Sequence, residues 1–60
     1  MAALLSLEQA AEYLGVRPST IYDWRTDRKG PQAVKVGRLV KFRVEDLDAF
    51  IDTQVERRSA

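Results

Sequence analysis

Apolar residues recur at helical spacing near the start of the chain. They are Leu7, Ala10, Ala11 and Leu14, which share one face of a helix. Ser6, followed three residues later by Gln9, fits a capping box at the beginning of such a helix. Gly15 can adopt the left-handed conformation that ends it. The pattern predicts a first helix over residues 7–14.

A second helix is predicted over residues 18–27, with a much narrower apolar face. Pro18 suits its first turn, because the missing N–H is not needed there. Only Ile21 and Trp24 form an apolar stripe, which leaves most of this helix for contacts outside the core. Two helices joined by about three residues, the second polar and little buried, are typical of a helix-turn-helix.

Hydropathy then alternates along residues 33–43, on both sides of a Gly37-Arg38 pair. The apolar positions are Val34, Val36, Val40 and Phe42. The basic positions are Lys35, Lys41 and Arg43. Glycine followed by another residue favours a two-residue type II′ turn. We predict a β-hairpin with strands near 33–36 and 39–43, its valines and phenylalanine facing the core and its basic residues facing outward.

The last predicted element is a helix that begins near Glu45 and Asp46, whose carboxylates favour the positive end of the helix dipole. Its apolar stripe is Leu47, Phe50, Ile51 and Val55. The tail from Arg57 onward is expected to fray. Two helices, a hairpin wing and a closing helix predict a small α+β fold, a winged helix-turn-helix, as one domain over residues 1–60 with its core within 5–55.

Charge is strongly segregated along the chain, although the net charge is only +1. Residues 17–43, here called the basic segment, carry eight lysines and arginines against two aspartates, a net charge of +6. Residues 1–16 carry −2 and residues 44–60 carry −3. A basic block between acidic flanks is expected of a surface that binds a polyanion, the alternative being chance asymmetry in a small domain.

Composition excludes several functions. The chain has no histidine and no cysteine, which removes the usual general base at neutral pH, disulfides and the commonest metal ligands. No apolar run approaches the roughly 20 residues that span a bilayer, and the start lacks a signal-peptide pattern. We expect a soluble, cytoplasmic protein that is not an enzyme and has no cofactor, metal or membrane partner.

Four segments of the chain carry a family resemblance. They are residues 7–16 (LEQAAEYLGV), 19–24 (STIYDW), 36–38 (VGR) and 45–50 (EDLDAF). The chain resembles the phage excisionases, or recombination directionality factors, of the mycobacteriophage type, in the MerR-like winged helix-turn-helix superfamily. The likeness covers residues 5–52. It implies a protein that binds and bends double-stranded attachment-site DNA in a bacterial host, associates side by side on it and acts with a phage integrase.

The second predicted helix is the candidate for the major groove, because hydrogen-bonding side chains near its start can approach base edges. The candidate contacts are Ser19, Thr20, Tyr22, Asp23 and Thr26. Thr20 and Tyr22 could contact phosphate or sugar instead. Asp23 could accept a hydrogen bond from a cytosine amino group. Its alternatives are a salt bridge to Arg28 or Lys29, or simple solvation, and the resembled family often has a basic residue at this position.

Phosphate contacts fix the register of a protein on DNA without reading its sequence. The candidates for them are Arg17, Trp24, Arg25, Arg28, Lys29, Lys35, Lys41 and Arg43. Trp24 is also expected to anchor the second helix in the core, and its N–H could still reach a phosphate. Any of the cations could instead be merely solvated. Arg17 stands where the resembled family usually has a Ser or Thr cap.

The tip of the hairpin, Gly37 and Arg38, is the candidate for the minor groove. A side chain at the tip of a two-residue turn is held away from its own core. Arginine prefers narrow, A·T-rich stretches of minor groove. The alternative is a solvated arginine on an ordinary hairpin, with Gly37 required by the turn more than by any ligand.

The residues themselves indicate DNA binding, and the resemblance indicates an excisionase. The alternative is a small MerR-like or AlpA-like transcriptional regulator. The short stretch after residue 52 leaves no room for the long dimerising helix of a MerR-type regulator, which favours the excisionase. A protein-interaction module that uses the acidic third helix would explain the C-terminal charge but not the basic hairpin.

Overall fold

The computed structural model describes residues 3–56, which form three helices and one three-stranded sheet. In chain order the elements are β1 (Leu4–Ser6), α1 (Leu7–Leu14), α2 (Pro18–Thr26), β2 (Val34–Val36), β3 (Leu39–Arg43) and α3 (Val44–Gln54). The strands are antiparallel in the order β1-β3-β2. We call β2, β3 and their turn the wing. This is the predicted small α+β winged helix-turn-helix, with one strand added before α1.

The ends of α1 are formed as its sequence predicts. The Ser6 hydroxyl accepts a hydrogen bond from the Gln9 N–H at 3.1 Å, and the Gln9 side-chain oxygen accepts one from the Ser6 N–H at 2.9 Å. These two bonds complete the capping box. After the helix, Gly15 has a φ of 73°, and the Val16 N–H donates to the Ala11 carbonyl at 2.9 Å. Both terminal signals of α1 are therefore confirmed.

The core is small and is centred on α1. Its buried residues are Leu7, Ala10, Ala11, Ile21, Phe42 and Leu47. Three of them come from α1, whereas α2, β3 and α3 give one each. The ring of Trp24 packs against Phe50 of α3, with centroids 5.2 Å apart and planes tilted by 51°. α2 therefore docks on the molecule mainly through Ile21 and Trp24.

The strand β1 is the element that the sequence does not predict. Its three residues are too few to show an alternating pattern. Leu5 lies opposite Phe42 in the register and packs against the core, while Leu4 and Ser6 point to the other face of the sheet. β1 satisfies the backbone groups along one edge of β3, which makes β3 the central strand.

The register of the wing corrects the predicted facing of its apolar residues. The two-residue loop pairs Val36 with Leu39, so an even-numbered residue of β2 shares a face with an odd-numbered residue of β3. Val34 and Val36 therefore lie on the face opposite to Val40 and Phe42. Phe42 is buried in the core, whereas Val36 is 46% exposed. The expectation that all four face inward is wrong, because alternation does not continue in phase across a two-residue loop.

The same register separates the basic residues of the wing. Lys41 and Arg43 share the outer face of the sheet, as expected. Lys35 pairs with Val40 and so belongs to the inner face, contrary to the expectation. It is nevertheless exposed, because β2 is an edge strand.

The apolar stripe of α3 is shorter than predicted. Leu47 is buried and Phe50 is half-buried, but Ile51 and Val55 are 40% and 55% exposed. α3 packs on β3 and α1, and the core lies beside its first half. The predicted fraying from Arg57 lies outside the described residues. Within residues 3–56, no helix has the length and apolar character needed to cross a membrane.

Candidate nucleic-acid interface

α2 presents most of its surface to solvent. Ile21 is its one buried residue. The predicted major-groove contacts Ser19, Tyr22, Asp23 and Thr26 are exposed, and Thr20 is half-buried. Ser19, Tyr22 and Thr26 are spaced by three and four residues, which places them on one face of the helix with Asp23. The structure therefore brings four of the five predicted residues together on an accessible surface, and Thr20 lies partly covered beside them.

Asp23 and Thr26 differ in whether their polar groups already have partners within the described part of the chain. Asp23 forms no salt bridge within residues 3–56, so the ion pair to Arg28 or Lys29 is absent from the described part of the chain. The Thr26 hydroxyl donates to the Tyr22 carbonyl at 3.1 Å. That bond uses the hydroxyl proton and leaves the oxygen lone pairs free to accept. Asp23 is thus the more available of the two.

Arginines stand at both ends of α2. Arg17 is the N-cap residue, and its side chain makes no capping hydrogen bond. At the other end Arg28 has a φ of 58°, the one positive value for a non-glycine residue in the described chain. Arg17, Arg28 and Lys29 are all exposed. Arg25 is exposed as well, so the four predicted phosphate contacts around α2 are accessible.

Trp24 is half-buried and packs against the core and against Phe50. Its predicted anchoring role is therefore confirmed. Among the described residues the indole nitrogen has no hydrogen-bond acceptor. A contact from this N–H to a phosphate stays a prediction.

The tip of the wing has the predicted turn geometry. Gly37 has a φ of 63°, while Arg38 is not among the residues with positive φ, as a type II′ turn requires. A Cβ on Gly37 would meet no atom within 4 Å, so the backbone conformation alone selects glycine. Arg38 is exposed, and Leu39 beside it is 59% exposed.

α2, the wing and the start of α1 enclose an open groove of about 360 Å³, here called the α2–wing groove. It is lined by Ser6, Leu7, Glu8, Tyr22, Arg25, Arg38, Leu39, Val40 and Lys41. Four of these residues, Tyr22, Arg25, Arg38 and Lys41, are predicted DNA contacts from two distant parts of the sequence. Three cations face one carboxylate, Glu8, so the groove favours an anion.

Other predicted contacts lie outside this groove. Arg43 forms a bidentate pair with Asp46, from Nε to Oδ2 at 2.7 Å and from Nη2 to Oδ1 at 3.0 Å. The hydrogen bonds and charge of Asp46 raise the pKa of Arg43. Arg43 is therefore already neutralised by its own chain. Lys35 lies on the inner face of the wing, away from Lys41.

Five residues of the groove are not among the predicted contacts. Leu7 and Val40 are predicted only as apolar positions of the core, and Ser6, Glu8 and Leu39 have no predicted role at the interface. The register of a two-residue turn could have identified Leu39, because Val36 and Leu39 must share a face. Ser6 and Glu8 had no such signal. They reach the groove only because β1 pairs with β3 and thereby places the start of α1 beside the wing.

Residues 4–55 match the family model of a helix-turn-helix domain. No curated protein and no solved structure matches the chain. The matched stretch runs from β1 to just beyond α3 and so includes every described element. In helix-turn-helix domains that bind DNA, the second helix is the element that lies in the major groove. The chain belongs to the helix-turn-helix domain family of DNA-binding modules.

Proposed function

We propose that the protein is a phage excisionase, which binds and bends attachment-site DNA and directs an integrase toward prophage excision in the bacterial cytoplasm. DNA binding is supported by the family and by the α2–wing groove, which is the observation that carries the binding mode. The excisionase role is supported by the resemblance of the four segments between residues 7 and 50. The small MerR-like or AlpA-like regulator is the alternative role for the same DNA-binding surface.

In the proposed complex α2 enters the major groove. Ser19, Tyr22 and Asp23 share its exposed face, and Asp23 has no ion-pair partner within residues 3–56. A carboxylate close to phosphates is repelled unless it accepts a hydrogen bond, and the amino group of cytosine offers one. Asp23 is therefore the residue on this face best suited to discriminate between bases.

The wing then lies over the adjacent minor groove. A major groove and the neighbouring minor groove are separated by one sugar–phosphate backbone. If α2 occupies the first and Arg38 the second, that backbone runs along the α2–wing groove. Arg25 and Lys41 line it from the two sides and would neutralise its phosphates.

One copy of so small a domain makes few base contacts. A single module of this size buries only about 600–1,000 Å² of protein surface on DNA. Selective binding to a long site therefore calls for several copies side by side, with the bend distributed among them. Cooperative binding curves on long sites, and simple ones on a site for one copy, are expected.

The deciding experiment is an integrase reaction run separately in the integrative and excisive directions, with and without the protein. Excision is expected to increase and integration to decrease. Lys41→Ala, which alters the α2–wing groove, should weaken both effects, whereas Asp52→Asn on the exposed part of α3 should not. Promoter repression without any directional effect would assign the regulator role instead. A wild-type protein that binds no DNA would contradict both the excisionase and the regulator roles.

The minor-groove contact is tested by Arg38→Ala on two versions of the site. Affinity should fall by about 1 to 3 kcal/mol where the flank is A·T-rich. The loss should shrink on a G·C-rich flank, because the wider groove has a weaker negative potential. Equal losses on both versions would make Arg38 a phosphate contact, and no loss would leave the wing a structural hairpin. Unfolding should be unchanged, since Arg38 is exposed and forms no salt bridge or side-chain hydrogen bond within residues 3–56.

The role of Asp23 is tested by selecting binding sites from random DNA with the wild type and with Asp23→Ala. The preferred sequence should change, and affinity for unrelated DNA should rise because a charge that repels phosphates is lost. An unchanged site preference together with a lower melting temperature would place Asp23 in the fold instead.

A further inference from the structure

α1 and α2 end in the same backbone motif, built on different residues. After α1, Gly15 is left-handed, its N–H donates to the carbonyl three residues back, and the next N–H donates five residues back. After α2, Arg28 takes the place of that glycine with a φ of 58°. Its N–H donates to Arg25 at 3.2 Å, and the Lys29 N–H donates to Trp24 at 2.6 Å.

A left-handed conformation is unfavourable for a residue with a Cβ, so glycine is the usual choice at this position. Such strain persists only where the surroundings determine the conformation. Here a close contact supports the two backbone hydrogen bonds. Gly30 lies so near Trp24 that an added Cβ would stand 3.0 Å from the ring. Trp24 is in turn held by Phe50. These contacts on both sides of Arg28 determine its backbone conformation.

The side chain of Arg28 does nothing evident for the fold. It is exposed, and among residues 3–56 it forms no salt bridge or side-chain hydrogen bond. An arginine at the carboxyl end of a helix gains a little from the helix dipole, but Arg25 in the last turn already supplies a cation there. The fold alone would therefore favour glycine.

We propose that Arg28 is a positioned phosphate contact, and that its strained backbone is retained because glycine would remove the guanidinium. The ligand is a phosphodiester of duplex DNA, which a planar guanidinium can bind through two hydrogen bonds. This inference rests on the proposed DNA binding. It adds that Arg28 contacts one particular phosphate, since two backbone hydrogen bonds hold this residue at the end of α2.

The test compares Arg28→Gly with Arg28→Ala, which lose the same charge but differ in backbone strain. Arg28→Gly should raise the melting temperature by about 4–8 °C, the shift expected for relief of roughly one such strained residue in a domain of this size. Arg28→Ala should leave it nearly unchanged. A lower melting temperature for Arg28→Gly would show that the side chain serves the fold and would overturn the proposal.

Both variants should bind DNA more weakly and by the same factor. The slope of log K against log salt should fall by about 0.9 in each, as for the loss of one phosphate contact. Replacing phosphates one at a time by neutral methylphosphonates should reveal one position that weakens the wild type but not Arg28→Ala. Wild-type affinity in both variants, with Arg25→Ala impaired, would refute this inference alone, whereas a wild type that binds no DNA would refute the proposed function.

Discussion

The two helices of the helix-turn-helix are held in place by different means. α1 has a complete capping box, a glycine at its end and three buried residues. α2 has no side-chain cap, an arginine in the left-handed position after it and one buried residue. Local signals in the sequence therefore mark both ends of α1. α2 is ordered mainly by docking Ile21 and Trp24 against the rest of the molecule.

The proposed DNA binding accounts for this difference between the two helices. α1 lies at the centre of the core, so its buried alanines and the glycine at its end can be chosen for stability alone. At the ends of α2, the positions where a helix favours Ser or Gly are occupied by Arg17 and Arg28. These two residues make the helix less stable locally and the surface more basic. We expect substitutions on the buried face of α1, at Ala10 and Ala11, to act on stability alone. Substitutions at the ends of α2 should act on stability and DNA binding with opposite signs.

The largest loss of stability is expected when the one buried residue of α2 is truncated. Ile21 is fully buried, and Ile21→Ala should destabilise the fold by about 2–5 kcal/mol. A domain below 70–80 residues has only about 3–5 kcal/mol from its core, so this variant should be largely unfolded by circular dichroism. Tyr22→Ala, at the adjacent exposed position, should change stability by no more than about 0.5 kcal/mol. A folded Ile21→Ala protein would show that α2 does not depend on this anchor.

A smaller effect is expected at the end of α1. A Cβ at Gly15 would meet no atom within 4 Å, so Gly15→Ala tests backbone conformation without steric overlap. The left-handed conformation should make it less stable by about 1–2 kcal/mol, as measured by urea unfolding. Gly15→Asn should lose less, because asparagine tolerates this conformation better. Equal losses in the two variants would mean that the helix end rearranges.

Substitutions at the N-cap positions of α1 and α2 are expected to change the stability of the protein in opposite directions. Ser6→Ala removes the cap of α1 and should destabilise the protein by about 1 kcal/mol. Arg17→Ser adds the missing cap to α2 and should stabilise it by about the same amount, while the salt dependence of DNA binding weakens. Both changes are read from melting curves and from titrations at several salt concentrations. A less stable Arg17→Ser protein would contradict the view that arginine at this N-cap position lowers the stability of α2.

Most of the fold is predictable from the sequence because its signals are local. The capping box, Gly15, Pro18 and the Gly37-Arg38 turn each act within a few residues, and the boundaries predicted from them agree closely with the structure. β1 is different, because three residues form a strand only when β3 is already present to pair with them. The facing of Val34 and Val36 was open to calculation from the loop length. Ile51 could not be placed, because its exposure depends on where the core ends along α3.

The candidate site is predictable residue by residue but not as an arrangement. Charge and exposure indicate Arg25, Arg38 and Lys41 separately, yet only the docking of α2 beside the wing places them around one groove. Glu8 joins them for the same reason. The pairing of Arg43 with Asp46 was within reach of the sequence, since the two are three residues apart at the start of α3. Long-range placement is what sequence patterns leave out.

The smallest expected effect concerns a further support of α1. The Tyr13 hydroxyl donates to Asp48 Oδ1 at 2.6 Å and so joins α1 to α3 at the surface. This bond raises the pKa of Tyr13, because ionisation would remove the donor and set two anions together. The pKa is higher in the folded state, so the stabilisation is fully present below the unfolded pKa of about 10 and is lost as the pH rises through the folded value.

Tyr13→Phe should therefore lower the melting temperature slightly at neutral pH, and the difference from wild type should begin to shrink near pH 10 and disappear only once the pH has passed the raised pKa of the folded state. Tyr22→Phe is the matched control, because Tyr22 is an exposed tyrosine whose hydroxyl has no partner among residues 3–56. It should melt like the wild type at every pH. A difference for Tyr13→Phe that persists unchanged at high pH would mean that packing of the ring, and not the bond to Asp48, joins the two helices.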